Sequence, residues 1–559
     1  MGRKLLIIGL DGASFVALDP LMQCGAMPTL ARLRADGFSA TLLSTLPPVS
    51  APAWSTFITG KNPGKHGVFQ FYDVNPWSPT SLGRGQRTYL AVPGVVVNAR
   101  SITEPKLWDL IGAAGLRIAA INLPMSYPPE PINGLMVTGM LTPPGSRHFT
   151  YPPELADELH DYEIDLNPEE KDFSSPDRQF LRRMCDILDK RARTALKLFQ
   201  REPWDCFMVI FTETDRLQHR YWHFLDPGRD RQRMTELQSS ITDIYCQLDG
   251  HLAEFVRLAG DGYDIIVLSD HGFGPAAHKR LSFSALARWL ELEVQPGGFK
   301  SRALTALRKL APGKQRIYKY LGPLVPEGFL KRAEERLRVM ARRGVKAKLV
   351  KLHDYIGGVW INTKDHENGI VGLGAEYQSF RTEIIQKLAA LRDPETKERV
   401  VSEIMVREGL YRGLHASDAP DIIFILDEEY GIETDAHSQN LLCRMPQKNQ
   451  GTHRAEGIFI MSGKAVRPGI QVSSNGLTVT PPKLEDVTAT ILYLMGVPLL
   501  DDMDGRVIEE AVSEKYLREH PITFQSVARL STGESSSLWS TPEEEEQIRE
   551  RLKELGYLE

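Results

Sequence analysis

The chain has 559 residues, 42% apolar and 25% charged, with a formal net charge of −5. That composition supplies a large core, excludes a disordered or fibrous polypeptide, and gives no overall attraction for nucleic acid. Five scattered cysteines, Cys24, Cys185, Cys206, Cys246 and Cys443, contain no CxxC pair and argue against both a disulfide framework and a cysteine zinc site.

Lys4–Leu10 is a short apolar run ending in Asp11-Gly12, the pattern of a strand buried on both faces. It is too short for a signal segment, and no run of about 18 apolar residues occurs, so a cytoplasmic protein is expected. Pro28–Asp36 reads as a helix stopped by Gly37. Arg117–Asn122, Leu135–Met140, Asp205–Phe211 and Tyr263–Leu268 read as strands, with helices expected over Asp177–Arg201 and Arg231–Leu258. Further on, Tyr355–Asn362, Asp421–Leu426 and Gly457–Met461 read as strands, and Glu376–Arg392 and Leu484–Met495 as helices. Helices alternating with apolar strands imply a three-layer α/β sandwich around a mostly parallel sheet.

Between the first helix and the second strand lies Ser50-Ala51-Pro52-Ala53-Trp54, running on to Thr59-Gly60. Pro52 suits a first helical turn, and Ser50 sits just outside it as an expected N-cap. A hydroxyl there also faces the positive end of the helix, which stabilises an alkoxide or a phosphate.

Three strands end in an acid: Asp11, Asp215 and Asp270. Each alone could be a turn residue, but ligands of parallel sheets sit beyond the carboxyl ends of the strands. Asp215 and His219 are four apart, on one face of a helix, and Asp270 is followed by His271. His453 lies far downstream, ahead of the Gly457–Met461 strand. Carboxylates mixed with neutral imidazoles suit zinc, manganese or iron.

Asp11-Gly12, Ser50-x-Pro52 running into Thr59-Gly60 and His66-Gly67, Asp215-x-x-x-His219, Ser269-Asp270-His271-Gly272 and Thr452-His453 occur in that order. This set resembles the alkaline phosphatase superfamily, in its type I phosphodiesterase/nucleotide pyrophosphatase branch. The resemblance implies an alkaline-phosphatase-like fold and two divalent metal ions, zinc first, with manganese or iron as alternatives. It implies that Asp215, His219 and His453 hold one ion, and that Asp11, Asp270, His271 and the Ser50 oxygen hold the other. Ser50 is then the nucleophile, attacking phosphorus to form a phosphoserine that water hydrolyses.

The chain also departs from the family pattern. Ser50 stands where the branch most often has Thr, and Gln70 and Phe71 stand where nucleotide pyrophosphatases carry an Asn. Gln70 and His66 are therefore the candidate substrate contacts, and monoester against diester preference stays open. Trp54 replaces the Arg of sulfatases, which makes that activity improbable; Trp54 is expected to pack, and His278 to be exposed.

Residues 300–351 hold sixteen Lys/Arg against three acids, interleaved with leucines. A basic helical cap over 286–351 is expected, inserted into a catalytic core of 1–285 and 352–515. Its surface suits a phosphorylated substrate or an anionic membrane face, with nucleic acid the least supported partner. A Ser/Gly/Thr-rich linker over 516–540 then leads to an acidic helix over 541–559, opened by the capping box Thr541-Pro542-Glu543-Glu544 and expected to dock on the basic insertion.

The expected function is metal-dependent hydrolysis of phosphodiester or nucleotide pyrophosphate bonds in a phosphorylated small molecule. The alternatives are a phosphomutase or phosphotransferase of the cofactor-independent phosphoglycerate mutase type, and a membrane-associated binding protein without catalysis.

Overall fold

The computed structural model describes residues 2–77, 94–166, 176–226, 236–292, 345–366, 369–434, 440–444, 450–472, 480–526, 539, 541–555 and 557. The central sheet contains β1 (Lys4–Leu10), β2 (Phe38–Leu43), β3 (Ile118–Leu123), β4 (Gly134–Thr138), β5 (Thr150–Tyr151), β6 (Cys206–Phe211), β7 (Tyr263–Leu268), β8 (Glu456–Ser462) and β9 (Ile470–Val472). Their spatial order is β9-β2-β8-β7-β1-β6-β3-β4-β5. Pairing is parallel except where β8 runs against β2 and β7 and where β5 runs against β4.

Alternation along β1 explains the three layers. Leu5 and Ile7 face the helices Ser50–Thr59 and Leu484–Met495, while Leu6, Ile8 and Leu10 face Pro28–Asp36, Asp177–Arg201 and Glu236–Ala259. All five side chains are fully buried, each contributing about 1.5–3 kcal/mol of transfer free energy. The strand is apolar throughout because neither face meets water.

A separate antiparallel sheet joins Ala347–His353, Ile356–Ile361, Ile422–Leu426 and Val401–Val406 in that spatial order. One of its faces packs Leu349, Val359 and Phe424 against Ile384 and Leu388 of the helix Ala375–Ala390. Its other face adds Val350, Leu352 and Ile356 to the main core. The first hairpin therefore ends against the main sheet, which carries His353 toward the carboxyl edge of β1 and β7.

Several expected boundaries change. Residues 347–351, assigned to the helical cap, are strand, because the hairpin to Ile356–Ile361 needs them. The remainder of the basic stretch, 293–344, with its expected helices and membrane-facing surface, lies outside the described residues. The linker read from residue 516 starts inside the helix Glu514–Glu519, and Phe524–Gln525 pairs with Leu499–Leu500. The acidic helix forms over Pro542–Glu554, with the Thr541 hydroxyl accepting the Glu544 N–H. Its described contacts are with the core: Ile548 and Leu552 are fully buried, and the Arg551 side chain donates to the Thr142 carbonyl at 2.9 Å. Among the described residues, no helix is long and apolar enough to cross a membrane.

Candidate active site

Asp11 follows β1, Asp215 lies in the helix that follows β6, and Asp270 follows β7. These three strands are neighbours, in the order β6-β1-β7, so the three carboxylates reach one rim of the sheet. Gly12 makes the turn possible at φ +67°, and a Cβ there would lie 3.0 Å from the Phe273 ring and 3.2 Å from Asp215 Oδ1.

Ser50 joins this rim as the first residue of its helix. Val49 is the N-cap instead, extended at φ −125° and ψ 141°, and no side chain caps the helix. The serine oxygen is thereby left to the site, 3.3 Å from His271 Nε2. Around it, His271 Nε2 lies 3.2 Å from Asp270 Oδ2 and 3.8 Å from Asp11 Oδ1. His453 Nε2 lies 3.2 Å, and His219 Nε2 3.5 Å, from Asp215 Oδ1. All six side chains and Ser50 therefore meet.

The three imidazoles share one arrangement. Nδ1 of His219 faces the Gly451 carbonyl at 3.3 Å, that of His271 the Gly272 carbonyl at 3.2 Å, and that of His453 the Pro48 carbonyl at 3.0 Å. A carbonyl accepts only, so each Nδ1 carries the proton and each Nε2 turns a bare lone pair into the site. The carboxylates match this. Asp11 Oδ1, Asp215 Oδ1 and Asp270 Oδ2 are buried without a hydrogen-bond partner among the described residues. Three carboxyl oxygens without a protein partner, beside three imidazole lone pairs, are a donor set that suits a divalent cation. Two buried groups that could hold an ion result, Asp215/His271/His453 and Asp11/Asp270/His271.

Electrostatics point the same way. Burial, then the charges of Asp270 and Asp215, push the Asp11 carboxyl well above its ordinary value. Burial, with the Asp215 charge added, raises Asp270 to about 8. Burial alone would raise Asp215 too, but the Arg216 guanidinium on its Oδ2 favours the charged form and holds it well below the usual range. Burial lowers His219 to about 4 and, with His453, depresses His271 strongly. Burial thus favours the neutral forms of His219 and His271 and disfavours the charged forms of Asp11 and Asp270.

Two expected contacts are placed elsewhere. His66 is buried with Nε2 3.1 Å from Thr56 Oγ1, and its Nδ1 accepts the Val68 N–H, so both nitrogens brace the turn after the Ser50 helix. The Gln70 amide donates to the Leu352 carbonyl at 2.5 Å and accepts the Phe71 N–H, which ties its loop to the second sheet instead of to a phosphoryl group. His278 is exposed.

Other residues carry no local motif yet stand in the site. The Trp54 indole is fully buried and donates to Asp11 Oδ2 at 3.2 Å, so its packing also fixes a carboxylate. The partly buried His353 ring stacks on His453 at 5.1 Å between centroids, and His453 stacks on His271 at 3.7 Å. Arg216 donates to Asp215 Oδ2 at 2.5 Å and is itself gripped by Asp165. The alternating Lys348–His353 stretch carries a strand signal that could have pointed to His353. Nothing local marks Arg216 as a partner of Asp215.

The sequence model of the family described as type I phosphodiesterase / nucleotide pyrophosphatase matches residues 5–458. No curated protein matches the chain. Among solved structures, inactive murine ectonucleotide pyrophosphatase / phosphodiesterase 5 in complex with AMP aligns at a TM-score of 0.50, with 13% identity, over 91% of this chain and 100% of that one. Phosphonoacetate hydrolase from Sinorhizobium meliloti 1021 aligns at 0.48 with 15% identity, over 89% and 95%. The human phosphodiesterase 5 counterpart aligns at 0.48 with 12% identity, over 93% and 99%.

Proposed function

Because the chain belongs to the type I phosphodiesterase/nucleotide pyrophosphatase family, we propose that it hydrolyses phosphodiester or pyrophosphate bonds of phosphorylated small molecules, with Ser50 as nucleophile. Asp215, His219 and His453 would hold one divalent cation, and Asp11, Asp270, His271 and the Ser50 oxygen a second, zinc being the best chemical match with manganese or iron as alternatives. Such cations would supply Lewis-acid charge that lowers the pKa of the serine hydroxyl and neutralises the phosphoryl oxygens.

The observation that carries this reading is the Ser50 oxygen, uncapped at the start of its helix, beside the orphaned oxygens of Asp11 and Asp270. Ser50 Oγ forms the bond to phosphorus as the bond to the leaving oxygen breaks. Water then breaks the Oγ–P bond and returns the hydroxyl. The positive end of the Ser50 helix faces the charge that builds on the equatorial oxygens. Six of the seven groups are buried and His219 is partly buried, which limits screening of these interactions by bulk water. AMP bound to the murine relative supports a nucleotide-sized phosphoester as the substrate class.

The test compares hydrolysis of bis-p-nitrophenyl phosphate and p-nitrophenyl phosphate by the zinc- or manganese-loaded protein and by Ser50→Ala. Faster turnover of the diester, lost in the variant, is expected. Undiminished turnover by Ser50→Ala would remove the serine from the mechanism.

A further inference from the structure

The helix Pro542–Glu554 delivers a side chain into the site from outside the matched region 5–458. The helix is anchored at several points. The Arg549 guanidinium donates to the Gly94 carbonyl at 2.8 Å, the Trp539 indole to the Val96 carbonyl at 2.7 Å, and Ile548 and Leu552 are buried. The Tyr557 N–H then closes on the Leu552 carbonyl at 2.8 Å, which turns the chain back toward the sheet rim.

There the Tyr557 ring packs on Phe71 at 4.6 Å and lies 5.8 Å from the His453 ring. Its hydroxyl donates to Asp215 Oδ2 at 3.2 Å and accepts from Arg216 Nη1 at 3.5 Å. Asp215 thus offers two differently used oxygens. Oδ2 is held by donors, Tyr557 and Arg216, while Oδ1 is left toward His219 and His453. The phenol thus holds one oxygen of Asp215, together with Arg216, and leaves the other to the site.

We infer that Tyr557 is a positioning residue that orients Asp215, so that full activity needs its hydroxyl. The inference rests on the phosphoesterase reading above. A donor behind a ligating carboxylate fixes which oxygen faces the ion, and removing such a partner typically costs about 10–100-fold in metal affinity or activity.

Tyr557→Phe keeps the ring on Phe71 and removes only the hydroxyl. Zinc affinity is read by competition with a chromophoric chelator on the full chain, alongside kcat and KM for bis-p-nitrophenyl phosphate and the Tm of the metal-free protein. The expected result is roughly 10-fold or greater loss in zinc affinity and in kcat, with KM and metal-free Tm little changed. A stop after Leu555 should lower both in the same direction. Wild-type zinc affinity and kcat retained in Tyr557→Phe would overturn the inference while leaving the phosphoesterase reading intact. A rise in kcat/KM on truncation would also overturn it, since the segment would then obstruct the site. Wild-type protein that neither binds zinc nor hydrolyses the diester would sink both.

Discussion

His219 Nε2 and His453 Nε2 lie 3.0 Å apart, although each ring already directs its Nδ1 proton to a backbone carbonyl. Two lone pairs at that distance, with the orphaned Asp215 Oδ1 beside them, repel unless a positive charge stands between. Chelation should therefore lower the Tm, and zinc should restore it, adding about 2.7 kcal/mol of stability at a free concentration 100 times Kd. His453→Ala should weaken zinc binding beyond the ~10–100-fold typical of outer partners. Titration calorimetry of the two proteins checks this; equal affinities would contradict the ligand assignment.

Trp54 bears on the opposite half of the site. Its indole holds Asp11 Oδ2 at 3.2 Å while the ring packs edge-on against Phe57 at 5.5 Å. Trp54→Phe keeps an aromatic ring and deletes the donor, so phosphodiesterase kcat should drop about 10–100-fold. An unchanged kcat at saturating metal would show that Asp11 needs no such hold.

Gly12 is constrained by both backbone and space. At φ +67° an alanine costs about 1–2 kcal/mol, and its Cβ would press on Phe273 and Asp215 Oδ1. Gly12→Ala should fold with a lowered Tm and lose activity more steeply than stability. Thermal melts with diester assays on the same preparations decide this; loss of stability alone would place the constraint only in the turn.

Acid sensitivity has a named source beside the separate antiparallel sheet. Burial alone would raise the Asp393 carboxyl, but the Lys279 ammonium, backbone N–H groups and the Tyr430 hydroxyl hold it at about 2, below its ordinary 3.8. A carboxyl depressed in the folded state stabilises it above the unfolded value and loses that contribution as pH falls through about 2. Asp393→Asn should therefore lower the Tm at about pH 6, with the gap to wild type closing between about pH 4 and 2. A gap constant over that range would refute the assignment.

Much of this was legible because apolar runs and strand-end acids are local signals. Lys4–Leu10 and Tyr263–Leu268 read as strands at their observed limits, and the three acids followed as their exits. Ser50 was harder: a cap and a first helical residue differ only in backbone angles, and Val49 takes the extended ones. Gln70 looked available because the acceptor of its amide is distant in sequence, the Leu352 carbonyl 282 positions away, whereas His66 is held by its neighbours Thr56 and Val68. Tyr557 follows an acidic helix whose docking depends on Gly94, Val96 and Thr142. No periodicity in one segment encodes such a meeting.

The adjacency of β6, β1 and β7 has a metric consequence. Neighbouring strands of any sheet are spaced about 4.8 Å apart, not far above the ~3.5–4 Å that separates paired cations in phosphoryl-transfer sites. Side chains leaving three consecutive strand ends start with nearly the right gauge, so the peptide ladder acts as a ruler. Loops beyond that edge are free to diverge without altering the gauge, which accords with a shared architecture at 13% identity.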